Sequence, residues 1–197
     1  MQVVRRAAAP SLSLVLDAAE AAFAQGGYDG ATFSDICRVA GVSRGLPSYL
    51  FGSKDELYRQ VVLRAAEHLR DSVIEPLRRC AKAASIEQAL SLMVDTYVDY
   101  LAAHPNVVRL LQWEMLSDSA GARPFAPSSA LFAEVLGVLQ TVLARGERGD
   151  VDARALLESI VALCFFPFTT RGRVGAFGTR SVADRKRHVI GLLMRGF

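Results

Sequence analysis

The sequence predicts an all-α protein of about nine helices, and three observations carry that prediction. Apolar residues recur every three or four positions along most of the chain. Side-chain caps stand in front of the apolar runs, and no stretch alternates apolar and polar residues as a half-buried strand does. The 197 residues are 51% hydrophobic and 22% charged, which excludes a disordered chain and supplies a core. At roughly 150 residues per domain, this length fits one compact unit with room for a small attached module.

The elements follow in order. Leu14, Val15, Ala18, Ala19, Ala22 and Phe23 form one apolar stripe, predicting a helix over 12–25 that Gly26 and Gly27 stop. Thr32 and Asp35 form a capping pair for a short helix over 33–40, ended by Gly41. Ser43 is placed to cap a third helix over 44–50, broken by Gly52. Ser53 and Glu56 begin a long helix over 54–75, whose end Pro76 disturbs. Ser85 and Gln88 cap a helix reaching Ala103, and a further helix runs over 106–116. Residues 118–127 read as a loop. Ser128 or Ser129 opens a helix to Ala144, and Asp152 caps the next, which Pro167 kinks or ends. Residues 171–179, with three glycines, read as another loop before Ser181 and Asp184 cap the last helix, ending near Arg195.

Composition and residue spacing argue against several function classes. The longest greasy segment, residues 159–168, is half of the ~20 residues a membrane span needs. Asp17 and Glu20 interrupt the weakly leader-like start, so a cytoplasmic protein with no membrane partner is expected. Cys37, Cys80 and Cys164 are odd in number and far apart, which argues against a disulfide framework. His68, His104 and His188 have no second ligand nearby in sequence, so no metal and no cofactor is expected. No nucleophile–base–acid arrangement or phosphate-binding glycine loop suggests an enzyme.

The informative stretch is 32–58, TFSDICRVAGVSRGLPSYLFGSKDELY. Two short helices flank Ala40-Gly41-Val42: a small residue for close approach, a glycine for a left-handed turn, an apolar plug for the crossing. That is the physics of a helix-turn-helix, in which the second helix enters a major groove. Leu16 to Ala19, Gly27 to Asp29, Asp35-Ile36, Ala40 to Ser43, Arg44-Gly45, Tyr49, Phe51 and Gly52 to Leu57 together closely resemble the TetR-type transcriptional regulators over about the first 60 residues. More loosely, His104-Pro105-Asn106, Arg109-Leu110-Leu111 and Trp113-Glu114 resemble the ligand domain of one branch. The resemblance implies a helix-turn-helix domain over 1–53 and an effector-binding, dimerising helical domain over 54–197, linked by the helix at 54–75. It also implies a homodimer joined through its last two helices, bound to a roughly palindromic double-stranded DNA operator and responsive to a small organic effector. A helical adaptor of the same fold without operator recognition is the alternative.

Within this frame Arg44 is expected at the groove, able to bond a guanine edge or a phosphate. Gly45 would let a backbone approach closely, and Ser43 caps its helix with an end that meets phosphate. Leu46-Pro47-Ser48 departs from the commonest family pattern of Thr, apolar, aromatic, which bears on operator preference. Leu46 could touch a thymine methyl, and Ser48 lacks the usual aromatic. The hydroxyl of Tyr49, the ammonium of Lys54 at a helix start, and Thr32 complete the DNA-binding set. Arg5 and Arg6 could form a basic arm. Phe23, Tyr28, Phe33, Ile36, Val42, Phe51 and Leu57 are assigned to the core.

Charge gives this assignment little help. Residues 1–60 hold six Arg or Lys and six Asp or Glu, while residues 171–195 hold seven basic residues against Asp184. For the effector, apolar pocket residues with few polar anchors are expected: Met93, Tyr97, Arg109, Trp113, Phe132, Cys164, Phe165 and Phe168.

Overall fold

The computed structural model describes residues 2–80, 85–116, 126–146, 148, 150–170 and 181–195. Their regular structure is entirely helical: α1 (Gln2–Gly30), α2 (Phe33–Ala40), α3 (Leu46–Phe51), α4 (Lys54–Leu69), a π-helical turn (Arg70–Ile74), α5 (Glu75–Cys80), α6 (Ile86–Ala103), α7 (Pro105–Leu116), α8 (Ala126–Arg145), α9 (Ala153–Thr169) and α10 (Val182–Arg195). Because α4, the π turn and α5 follow one another without a break, these amount to nine rods, as the periodicity predicts. No helix among the described residues is long and apolar enough to cross a membrane. The loop expected at 171–179, and most of that at 118–127, lie outside the described residues.

Contacts divide the chain into two units. The first comprises residues 1–65 and 109–124, the second 66–108 and 125–197. In the first, Val15, Ala19, Phe23, Ile36, Leu57 and Val61 are fully buried, and Arg64 reaches from α4 to Asp17 (2.6 Å) and Glu20 (2.8 Å) on α1. Phe23, Ile36 and Leu57 are thus core as expected, whereas Tyr28, Phe33, Val42 and Phe51 are only half-buried. In the second unit α6 buries Leu90, Met93, Val94, Val98 and Leu101, a three-to-four stripe, and packs on α9 and α10. Lys186 of α10 answers Asp95 (3.6 Å) and Asp99 (2.7 Å) of α6, while Arg185 lies buried over the Phe168 ring at 5.1 Å. Part of the basic C-terminal excess is therefore absorbed inside this unit.

Most caps fall where the sequence puts them. Ser85 and Gln88 make a full capping box, Asp152 accepts from Arg154 and Ala155, and the Ser181 hydroxyl accepts from the Asp184 amide at 3.1 Å. Two ends differ. The helical backbone of α1 starts at Gln2, ten residues before the expected start, so Arg5 and Arg6 stand on helix rather than on an extended arm. Pro76 does not end its helix: in the π turn before it the Glu75 amide bonds Arg70 O, five residues back, which accommodates the missing proline donor, and helix continues to Cys80. Pro167 lies in the last turn of α9, which ends at Thr169.

Candidate nucleic-acid interface

The interface is built on local chemistry. Thr32 opens α2 from an extended conformation; its Oγ1 accepts from the Asp35 amide at 3.2 Å and donates to the Asp35 carboxylate at 2.6 Å. That hydrogen bond, followed by the one from Arg38, holds the Asp35 carboxyl below its ordinary range. Gly41 then takes φ 67°, ψ 31°, a left-handed conformation that a side chain would strain, and closes α2 with its N–H on Cys37 O.

The next turn is held from within. The Cys37 thiol, buried, faces both Ser43 O (3.5 Å) and Arg44 O (3.6 Å), and the Leu46 amide bonds Ser43 O at 3.0 Å. Ser43 therefore does not cap α3 with its side chain. The chain spends residues 43–45 in the turn, Gly45 is the cap residue, and no side-chain cap bond is made. Pro47 sits buried at the start of α3, where the first amides lack helical partners anyway.

This geometry sorts the eight candidate residues. Ser43, Arg44, Gly45, Ser48 and Tyr49 are exposed, Tyr49 by 81%, and positions 45, 48 and 49 share one face of the short helix. Thr32 is also exposed, while Leu46 and Lys54 are half-buried. Nothing lies within 4 Å of where a Cβ on Gly45 would stand, and its φ of −83° is ordinary, so no internal contact calls for glycine there. Around this face Arg38 pairs with Asp35 (3.5 Å) and Arg59 with Glu56 (2.5 Å), the latter holding Glu56 down to about 2. Among the described residues no carboxylate pairs with Arg44.

A second set of contacts, which the sequence reading missed, surrounds Lys54. Lys54 Nζ stands 4.4 Å from the centre of the Tyr28 ring, and the Tyr28 hydroxyl donates to Asp55. Tyr28 stacks on Phe23 at 6.1 Å and meets the edge of Tyr58 at 5.3 Å. The Tyr58 hydroxyl donates to Glu114 of α7, and Trp113 Nε1 donates to Ala24 O at 3.2 Å. No periodicity could have shown these partners, which are 27, 56 and 89 residues apart.

The effector candidates are distributed between the two units. Met93, Cys164 and Phe165 are buried in the second, where Tyr97, Phe132 and Phe168 are half-buried; Arg154 lies over Phe132 at 5.5 Å. Burial raises the Tyr97 hydroxyl and pushes the Cys164 thiol up to about 12. Arg109 and Trp113 belong to the first unit, Arg109 exposed and Trp113 against Gly27.

Residues 15–61 match the family described as bacterial regulatory proteins, tetR family, and residues 87–189 match a tetracyclin repressor-like C-terminal domain. The HTH-type transcriptional repressor NicS of Pseudomonas putida is 29% identical over 178 residues, covering 87% of this chain and 82% of the relative. Among solved structures, the transcriptional regulator FadR from Bacillus subtilis in complex with stearoyl-CoA superposes with a TM-score of 0.72 at 21% identity, covering 94% of this chain and 98% of the other. The TetR family transcriptional regulator PfmR from Thermus thermophilus gives a TM-score of 0.68 at 17% identity, with 92% and 97% covered.

Proposed function

Because this chain belongs to the tetR family of bacterial regulatory proteins, we propose that it is a ligand-responsive repressor that reads its operator through the exposed face of residues 43–49. The observation that carries the reading is the pairing of exposed Arg44 with open space at Gly45. A guanidinium at the head of a groove-entering helix can bond a base edge, and glycine beside it permits the backbone to come close as well. Tyr49, Ser48 and Ser43 surround it with hydroxyls suited to phosphate, and Lys54 adds a cation at the start of α4. With residues 1–60 electrically balanced, such contacts rather than a broad positive field supply recognition.

Two further parts complete the proposal. Ala155, Ser159, Ala162, Leu163 and Phe166 line an exposed face of α9, with Phe166 56% exposed, and Leu192 of α10 is exposed as well. A second copy covering α9 and α10 would bury this face and present two reading heads to a two-fold operator. A small organic effector held among Met93, Tyr97, Phe132, Cys164, Phe165 and Phe168 would then shift operator affinity. The stearoyl-CoA complex of the Bacillus subtilis regulator supports a ligand site in this fold.

The test is selection of duplexes from a random pool, followed by titration of the winner and a scrambled duplex at two salt concentrations. The proposal expects a palindromic winner, about a thousandfold preference and a marked salt slope, with the preference lost in Arg44→Ala. No enrichment by folded dimer, with or without small-molecule libraries present, would refute operator recognition and leave a helical adaptor.

A further inference from the structure

The contacts behind Lys54 form a continuous path to α7. Tyr28 presents its face to the Lys54 ammonium at 4.4 Å, while Phe23, the edge of Tyr58 and the Asp55 carboxylate hold the ring in place. Tyr58 is 7% exposed; its ring meets Phe23 edge-on at 4.9 Å and its hydroxyl is engaged by Glu114. The neighbouring Trp113 fixes that part of α7. Its indole N–H takes Ala24 O, and its ring lies 3.1 to 3.4 Å from the space a Cβ on Gly27 would occupy. All of these residues belong to the first unit.

We propose that Glu114 and Trp113 are positioning residues of the DNA interface, holding Lys54 at its phosphate through Tyr58 and Tyr28. This rests on Lys54 being a phosphate ligand. A lysine ammonium on a four-carbon stem loses much rotamer freedom when it binds. The aromatic platform lowers that cost by holding the cation near its bound position before DNA arrives. Without the Glu114 anchor, the Tyr58 ring is held less firmly against Tyr28, and Phe23 and Asp55 alone position the platform under the ammonium. The contact that disappears is one phosphate per protomer, independent of base sequence.

The experiment measures binding to the duplex selected by the wild-type protein, and to its scrambled counterpart, over a salt series. Lys54→Ala should make the slope of log K against log salt about 1.8 units shallower for a dimer, two phosphates being lost. Tyr58→Phe and Glu114→Gln should shift the slope in the same direction and weaken both duplexes by the same factor. In a Lys54→Ala background neither should have further effect. Trp113→Phe, which keeps a ring but loses the indole N–H, supplies an independent third variant. Emission from Trp113, the chain's single tryptophan, reports whether α7 stays docked in Tyr58→Phe. Lowered unfolding midpoints with an unchanged slope in Tyr58→Phe and Glu114→Gln would overturn the relay and leave these residues as packing. An unchanged slope in Lys54→Ala itself would instead remove the phosphate contact on which the relay rests.

Discussion

Replacing Gly27 by alanine tests how firmly the end of α1 is held. Gly27 sits at φ 68°, ψ −175°, a region that L side chains rarely enter, at a cost of about 1–3 kcal/mol. The added Cβ would also stand 3.1 Å from Trp113 Cδ2 and 3.2 Å from Cε3, atoms of a rigid ring tied to Ala24 O. Overpacking of that kind costs about 1–3 kcal/mol. The reduced freedom of the unfolded chain returns about 0.4–1 kcal/mol, so the expected net loss is about 1–5 kcal/mol. Urea unfolding followed by Trp113 emission measures it in the unit concerned. Gly30→Ala, with nothing within 4 Å of its Cβ, is the control and should stay within about 0.5 kcal/mol. If Gly27→Ala matched that control, neither the positive φ nor the close indole would constrain the folded chain, and the anchoring of α7 on α1 would be wrong.

Three other outcomes follow from the same geometry. Gly45→Ala should leave thermal stability within about 0.5 kcal/mol yet weaken operator binding about tenfold or more through loss of close approach; unchanged affinity would move the DNA away from that turn. In the proposed dimer Phe166→Asp should give a folded monomer in sedimentation, and a persistent dimer would place the interface elsewhere than α9. Glu134 accepts from Arg70 (3.0 Å) and Arg78 (3.2 Å), and the Arg70 hydrogen bond chiefly holds its carboxyl below the ordinary 4.5. The folded carboxyl is the more acidic, so the pairing stabilises by about 0.5–1 kcal/mol above pH 4.5 and fades as pH falls through the depressed value. The stability difference between wild type and Glu134→Gln should therefore shrink in acid; a constant difference would contradict this.

What the sequence made legible is what the chain settles locally. Thr32 with Asp35, Gly41, and Ser85 with Gln88 act over three or four residues, so cap and turn chemistry place them without knowledge of the fold. Ser43 failed as a cap because helical backbone begins only at Leu46, which leaves Gly45 at the cap position and residues 43–45 in a turn held by the Cys37 thiol. The rule that proline ends a helix failed at Pro76 for a different reason. Ile74 packs with Ala66 and Leu131, and Arg70 and Arg78 share Glu134, so tertiary contacts hold the rod together while one widened turn accommodates the proline. His68 and His104, read as isolated, lie with ring centroids 6.1 Å apart, a proximity that only packing creates.

The proposed effector region resisted sequence reading because inward-facing apolar residues look the same whether they fill a core or line a cavity. Met93 and Tyr97 are one turn apart on α6, as are Cys164 and Phe168 on α9, and periodicity could go no further. The structure adds an electrostatic condition. Burial keeps the Tyr97 hydroxyl and the Cys164 thiol protonated throughout the neutral range, and the Arg185 cation that partly offsets the effect at Cys164 lies over Phe168. Neither group can then serve as an acid–base switch near neutral pH. An effector reaching Tyr97 and Cys164 would meet neutral donors on apolar walls beside a buried guanidinium, and any change it transmits from there must arise from shape and hydrogen bonding rather than from their titration.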